Sequence, residues 1–131
     1  MISIDDYLMN RGPVSDELME NAEDLLEKVA LLEEMLNDES PTTLVTFVLT
    51  GGYRPEAMIE NHTLPGCPHD AHTSCRGIDL HDPDLAISKR LTEDPTLLED
   101  ANLWMESIQS AKNHLHIQSV SPRSGKRIFI A

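Results

Sequence analysis

Long apolar runs, export signals, cysteine and positive charge are all scarce in this chain, and each scarcity removes a class of function. Hydrophobic residues make up 40% of the 131 positions, yet no run approaches the ~20 residues that a membrane-spanning helix needs. The opening Met1-Ile2-Ser3-Ile4-Asp5-Asp6 lacks the basic and apolar regions of a secretory signal. A soluble protein made in the cytoplasm is therefore expected, with any later delivery supplied by something else. Cys67 and Cys75 are the two cysteines. They are expected as free thiols, too few for a thiolate zinc site. Ten Lys and Arg against 23 Asp and Glu leave a net charge of −13, which repels phosphate backbones. Neither nucleic acid nor a membrane is an expected partner.

The acid is concentrated between Asp16 and Glu39, whereas Arg123 to Arg127 is basic. Most of that acid reads as a solvated helix face. Internal repeats and low-complexity tracts are missing, and the length suits one domain over residues 1–131 with a modest core.

Ser15 is a plausible N-cap, and from there Leu18, Ala22, Leu25, Val29, Leu32 and Leu36 recur at three- and four-residue steps. This is one buried stripe of a long amphipathic helix, with Glu20, Glu27 and Glu34 outside it. Thr43 to Leu49 reads as a buried strand that Gly51-Gly52 breaks into a turn. Pro55 to Ser74 reads as a long functional loop, and Gly77 to Leu80 as a short strand. Pro83 is expected at the first position of a short helix. Pro95 is expected to open another, with Leu98, Ala101, Trp104, Met105 and Ile108 on its inner face. His114–Val120 and Lys126–Ile130 suggest a hairpin across Pro122 to Gly125. Together these predict an α+β domain: a small, mostly antiparallel sheet, a long N-terminal helix and connecting helices.

His72, Asp79 and His116 are the candidate metal ligands. Two imidazoles and a carboxylate from separate segments make a three-ligand site with a position open to water, the arrangement of a catalytic zinc. Strand alternation puts His114 and His116 on one face and Leu115 and Ile117 on the other, and by the same rule Gly77 and Asp79 share a face. Taken alone, each histidine is more simply a hydrogen-bonded or surface residue.

The flanking residues change that balance. Thr50-Gly51-Gly52-Tyr53-Arg54-Pro55, Ala71-His72 to Asp79, and His116-Ile117-Gln118 together resemble the zinc D-Ala-D-Ala carboxypeptidase family, which includes phage endolysins and the hedgehog signalling domain. That family's pattern is a Ser-Gly-Tyr-Arg turn, a His followed seven positions on by Asp, and a final His on a strand. Asp6-Tyr7-Leu8-Met9, Ala71-His72-Thr73-Ser74-Cys75 and Pro122 to Ile130 resemble its small phage- or prophage-encoded branch, so the resemblance covers nearly the whole chain.

What the resemblance implies is a hedgehog/DD-peptidase-like fold with zinc on His72, Asp79 and His116. It also makes Arg54 the group that holds a substrate carboxylate or carbonyl, a task suited to a planar guanidinium fork. The implied function is a zinc peptidase acting on peptidoglycan stem peptides, as a D-Ala-D-Ala carboxypeptidase or by endolysin-like hydrolysis. It would be made in a host cytoplasm and act at the cell wall after release or within a virion.

Two positions depart from the pattern. Gly51 stands where Ser is usual. Active members carry Glu or Asp, as general base, three residues before the last histidine; here Asn113 stands there and cannot accept a proton at a useful pH. His114 has three readings: packing or hydrogen bonding, the replacement catalytic base, or a ligand. Cys75 reads as a small buried residue or a fourth ligand, and His69 and His81 as residues behind the ligands. Asn113 also opens an alternative: a non-catalytic, metal-binding phage structural or accessory protein that keeps the fold and partners virion proteins.

Overall fold

The computed structural model describes residues 1–39, 44–66, 70–111 and 113–131. Ser3 caps α1 (Ile4–Leu8) by accepting a bond from the Asp6 amide at 3.1 Å. Its one buried side chain, Tyr7, reaches across to donate to the Gly77 carbonyl at 2.8 Å. The predicted long helix is α2 (Asp16–Glu39), and Ser15 Oγ accepts from the Leu18 amide at 3.2 Å, as an N-cap should. Ala22, Leu25, Val29, Leu32 and Leu36 are buried along it, while Glu20, Glu27 and Glu34 are exposed. Each such leucine withdrawn from water contributes about 1.5–3 kcal/mol, so the stripe drives α2 onto the rest of the core.

Five strands form one mixed, mostly antiparallel sheet in the order β1-β2-β4-β3-β5. These are β1 (Leu49–Gly51), β2 (Gly77–His81), β3 (Trp104–Glu106), β4 (His114–Gln118) and β5 (Ile128–Phe129). β1–β2, β2–β4 and β3–β4 pair antiparallel, and only β3–β5 is parallel. The α+β expectation holds. Ile78, Leu80, Met105, Leu115 and Ile117 are fully buried on the core side of the sheet. Their alternating neighbours are left to build the other face. Among the described residues, no helix is long and apolar enough to cross a membrane.

Several expected elements differ. Residues 44–48 carry no regular structure; Phe47 is buried but Leu44 and Val48 are exposed, and the strand starts only at Leu49 and runs through Gly51. An apolar, β-branched stretch looked like a buried strand because composition does not reveal which edge is available for pairing. Thr43, at its start, lies outside the described residues. The long loop contains α3 (Glu56–Glu60). Pro83 does not open α4 (Ala86–Glu93), whose N-cap is Leu85; Asp82, upstream of the cap, accepts from the Ile87 and Ser88 amides at 3.2 and 2.9 Å.

The helix opened by Pro95, α5 (Thr96–Ala101), stops well short of Ile108. Asn102 takes a left-handed φ of 55°, and the Leu103 amide bonds back to the Leu98 carbonyl at 2.9 Å. This Schellman-type stop releases Trp104 and Met105 into β3. β4 and β5 form no hairpin, because β3 lies between them.

Close approach of α1 to β1 depends on Gly52. A Cβ there would lie 2.1 Å from the Tyr7 carbonyl oxygen, which is itself the acceptor for the Tyr53 amide at 3.0 Å. Backbone cannot step aside as a side-chain end can. Gly52→Ala is therefore expected to destabilise the fold by about 1–3 kcal/mol, the usual range for forced overpacking. An unchanged urea midpoint would overturn this account of the contact.

Candidate metal centre

The register of β2 against β4 sets Asp79 directly opposite His116. Side chains opposed in this way lie about 4.5–5.5 Å apart at Cβ, close enough for the carboxylate and the imidazole to meet. They do: His116 Nδ1 is 2.8 Å from Asp79 Oδ1. Gly77, on the same face, makes room for them, since a Cβ there would lie 3.2 Å from the His116 ring and 2.8 Å from Ala71 Cβ.

His72 arrives from the turn before β2. Asp70 Oδ1 folds that turn by accepting from the His72 and Thr73 amides at 2.8 and 3.1 Å. The turn is then latched to the segment after β1. His72 Nδ1 lies 2.8 Å from the Gly52 carbonyl oxygen, and the Arg54 amide donates to the His72 carbonyl at 3.3 Å. This places His72 Nε2 at 3.4 Å from Asp79 Oδ1.

Protonation follows from the partners. The Gly52 carbonyl only accepts, so His72 Nδ1 carries a hydrogen and Nε2 presents a lone pair to Asp79. Gln118 donates its amide nitrogen to the Val120 carbonyl at 2.8 Å, which turns Oε1 towards His116 Nε2, also at 2.8 Å. His116 Nε2 therefore donates, and Nδ1 is the nitrogen facing Asp79. Two imidazole lone pairs and an anionic oxygen converging on one point repel one another unless a cation, a proton or a metal ion, lies between them. Their ligand atoms all lie within 4.8 Å of one another; a tetrahedral ion with bonds of 2.0–2.2 Å would hold such atoms roughly 3.3–3.6 Å apart. Among the described residues this buried trio is the group of His, Cys, Asp and Glu able to hold a metal ion.

The electrostatics agree. Burial raises the Asp79 carboxyl, but hydrogen bonds and charge from His116 and His72, each when its inward nitrogen is protonated, outweigh it and hold the group well below the usual carboxylate range. Burial likewise lowers His116, but Asp79 outweighs that effect and the imidazole ends above its ordinary value.

The trio forms part of the lining of a cavity of about 480 Å³, shared with Arg54, Asp70, Glu106 and His114. Arg54 Nη2 binds Asp79 Oδ2 at 3.2 Å, and Nη1 lies 3.4 Å from the Pro65 carbonyl. The arginine singled out for substrate thus also orients a ligand carboxylate. His114 Nε2 is 3.8 Å from Asp79 Oδ1 and its side chain is 35% exposed, against 11% for His116. That places it beside the trio rather than within it.

Cys75 is buried, and burial pushes its thiol up to about 11. It is absent from the ligand group and packs in the core, so it reads as a small buried residue. His81 is exposed and does not line the cavity; His69 and Cys67 lie outside the described residues. The groups behind the ligands are instead Gly52 and Gln118. Gln118 carried a sequence signal: it stands two positions after His116, on the same strand face.

Comparison of this chain with protein-family models, curated proteins and solved structures finds no match to any of them.

One divalent ion per chain is expected by elemental analysis after metal loading, and none in His116→Ala or Asp79→Asn. Saturating metal at 100 times Kd should stabilise the fold by about 2.7 kcal/mol. Arg54→Ala should weaken metal affinity by about 10–100-fold, as loss of a group orienting a ligand does. The ion must displace the proton that Asp79 holds on His116. Affinity should therefore fall as pH is lowered, with the loss beginning above the ordinary imidazole value. A pH-independent affinity, or full occupancy in His116→Ala, would refute the ligand assignment.

Proposed function

We propose that this chain is a zinc metallopeptidase that hydrolyses peptidoglycan stem peptides. The observation that carries the reading is the His72–Asp79–His116 trio on the wall of a cavity that also holds Arg54. Two nitrogens and one oxygen suit zinc, and three protein ligands leave a position open. Zinc, when bound, polarises a carbonyl and lowers the pKa of its water to roughly 7. The motifs around these residues resemble the D-Ala-D-Ala carboxypeptidase family, and the substrate class is taken from that resemblance.

Each residue has a task in this reading. His72 and His116 would hold the ion through Nε2 and Nδ1 and Asp79 through Oδ1, while Arg54 holds Oδ2. A guanidinium carries five donors. Those that Asp79 and Pro65 do not engage are available to a peptide's terminal carboxylate, in a bidentate pair if the geometry allows. Phe129, edge-on to His116 with centroids 6.3 Å apart, gives the cavity an apolar wall that keeps water away from the imidazole.

Zinc-loaded protein is expected to release an amine from stem peptides ending in D-Ala-D-Ala, or from cross-linked muropeptides, and chelation should abolish the release. Arg54→Lys should raise KM more for peptides with a free terminal carboxylate than for their amides, because an ammonium lacks the planar fork. Asn113, where family members carry an acid, favours a second reading, a metal-stabilised binding module among virion proteins. Saturable peptide binding without cleavage would support that module over the peptidase. Neither binding nor cleavage by the zinc-loaded chain would overturn the peptidoglycan assignment.

A further inference from the structure

We infer that Glu106 on β3 is the catalytic residue that takes up and returns the proton during hydrolysis, the position that Asn113 leaves without an acid. This inference rests on the peptidase reading above and adds a residue that the motif comparison does not supply.

Three carboxylate side chains among the described residues line the cavity: Asp70, Asp79 and Glu106. Two are engaged. Asp79 turns Oδ1 to both imidazoles and Oδ2 to Arg54. Asp70 Oδ1 holds the amides of the turn that carries His72. The Glu106 side chain shows no hydrogen bond or ion pair with a described residue, and it is half-buried within the cavity wall.

Its placement follows from strand register. β3 runs antiparallel to β4 with Trp104 opposite Gln118 and Met105 opposite Ile117. The next step of the same register sets Glu106 against His116. Met105 and Ile117 are fully buried on the core side, so alternation turns Glu106 to the face that carries His116 and Asp79. Cross-strand neighbours lie about 4.5–5.5 Å apart at Cβ. Glu106 lines the same cavity as the trio, and its charge is felt at the His116 imidazole.

The two positions suggested by sequence are placed less well. Asn113 is exposed, in a left-handed conformation with φ 60°, and does not line the cavity. His114 is already drawn to Asp79, at 3.8 Å. In the step assigned to Glu106, the water oxygen forms a bond to the carbonyl carbon and gives one proton to the Glu106 carboxylate. That proton then passes to the leaving nitrogen as the C–N bond breaks, and nothing is oxidised or reduced.

The test uses the zinc-loaded full chain with Glu106→Gln, His114→Ala and Asn113→Gly. Glu106→Gln should keep one zinc per chain and the wild-type melting temperature but lose about 10²–10⁴-fold in kcat, the usual worth of a general base. His114→Ala should lose less than about tenfold, and Asn113→Gly should stay within about twofold. A second readout needs no turnover: titration of acetohydroxamic acid in two buffers of different ionisation enthalpy counts the protons released. Wild type should release close to none, because Glu106 takes the hydroxamate proton; Glu106→Gln should release about one. If the wild type cleaves no stem peptide, the peptidase reading fails and the proton count alone decides the role of Glu106. Equal proton counts in wild type and Glu106→Gln, no hydroxamate binding, or wild-type turnover by Glu106→Gln would each overturn the assignment.

Discussion

Asp79 Oδ1 is approached by His116 Nδ1 at 2.8 Å and by His72 Nε2 at 3.4 Å, and neither ring can turn to relieve the crowding of lone pairs. Each is pinned from behind, His72 by the Gly52 carbonyl and His116 by the Gln118 amide oxygen. A cation at the centre is the physical condition under which this arrangement is stable. Much of the surrounding structure can be understood as holding the three groups against their mutual repulsion. The β2–β4 register sets one pair face to face, Gly77 lets the ring come close, and the turn folded by Asp70 carries the third member inward.

Holding a carboxylate in so buried a place has a cost. Desolvation of an isolated ion in a protein interior still amounts to several kcal/mol after relaxation, and Arg54 offsets it only in part from the outer oxygen. The rest comes from the opposite side of the sheet. Ile78, Leu80, Leu115, Ile117 and Met105 are withdrawn from water there, and the buried stripe of α2 belongs to the same core. The sheet therefore gives one face to the core and the other to the trio that could hold a metal ion. Asp79 and His116 belong to β2 and β4, central strands paired with each other along their whole length, which favours precise placement. His72 and Arg54 belong to turns, and each depends on the other through the bonds between residues 52–54 and 72.

That division also explains why the carboxylate of Glu106 stands apart from the other two. Asp70 and Asp79 are consumed by folding the turn and facing the imidazoles, whereas Glu106 sits where β3 ends, beside the last paired residues of β4. A proton acceptor must stay near the reacting centre yet unengaged by it. The end of a short flanking strand meets both conditions.

The amphipathic spacing of α2, the short strands β2 and β4, and the trio that could hold a metal ion were legible in the chain itself. Helical periodicity, strand alternation and ligand chemistry are all properties of neighbouring residues and their types. Other features depended on partners far away in sequence. Trp104, Met105 and Ile108 stand at helical spacing after Ala101, and only the left-handed Asn102 with its capping bonds turns that segment into β3. Once β3 exists it occupies the edge of β4 that a hairpin with β5 would have used. Gln118 and the Gly52 carbonyl behind the imidazoles, Arg54 on Asp79, and Glu106 one step beyond the last β3–β4 pair belong to that tertiary arrangement. Sequence alone therefore determined which side chains have the chemistry to bind a cation and which stripe must be buried. Tertiary structure decided which nitrogen of each ring faces inward and which acid stands beside it, because these depend on register between strands that no local pattern specifies.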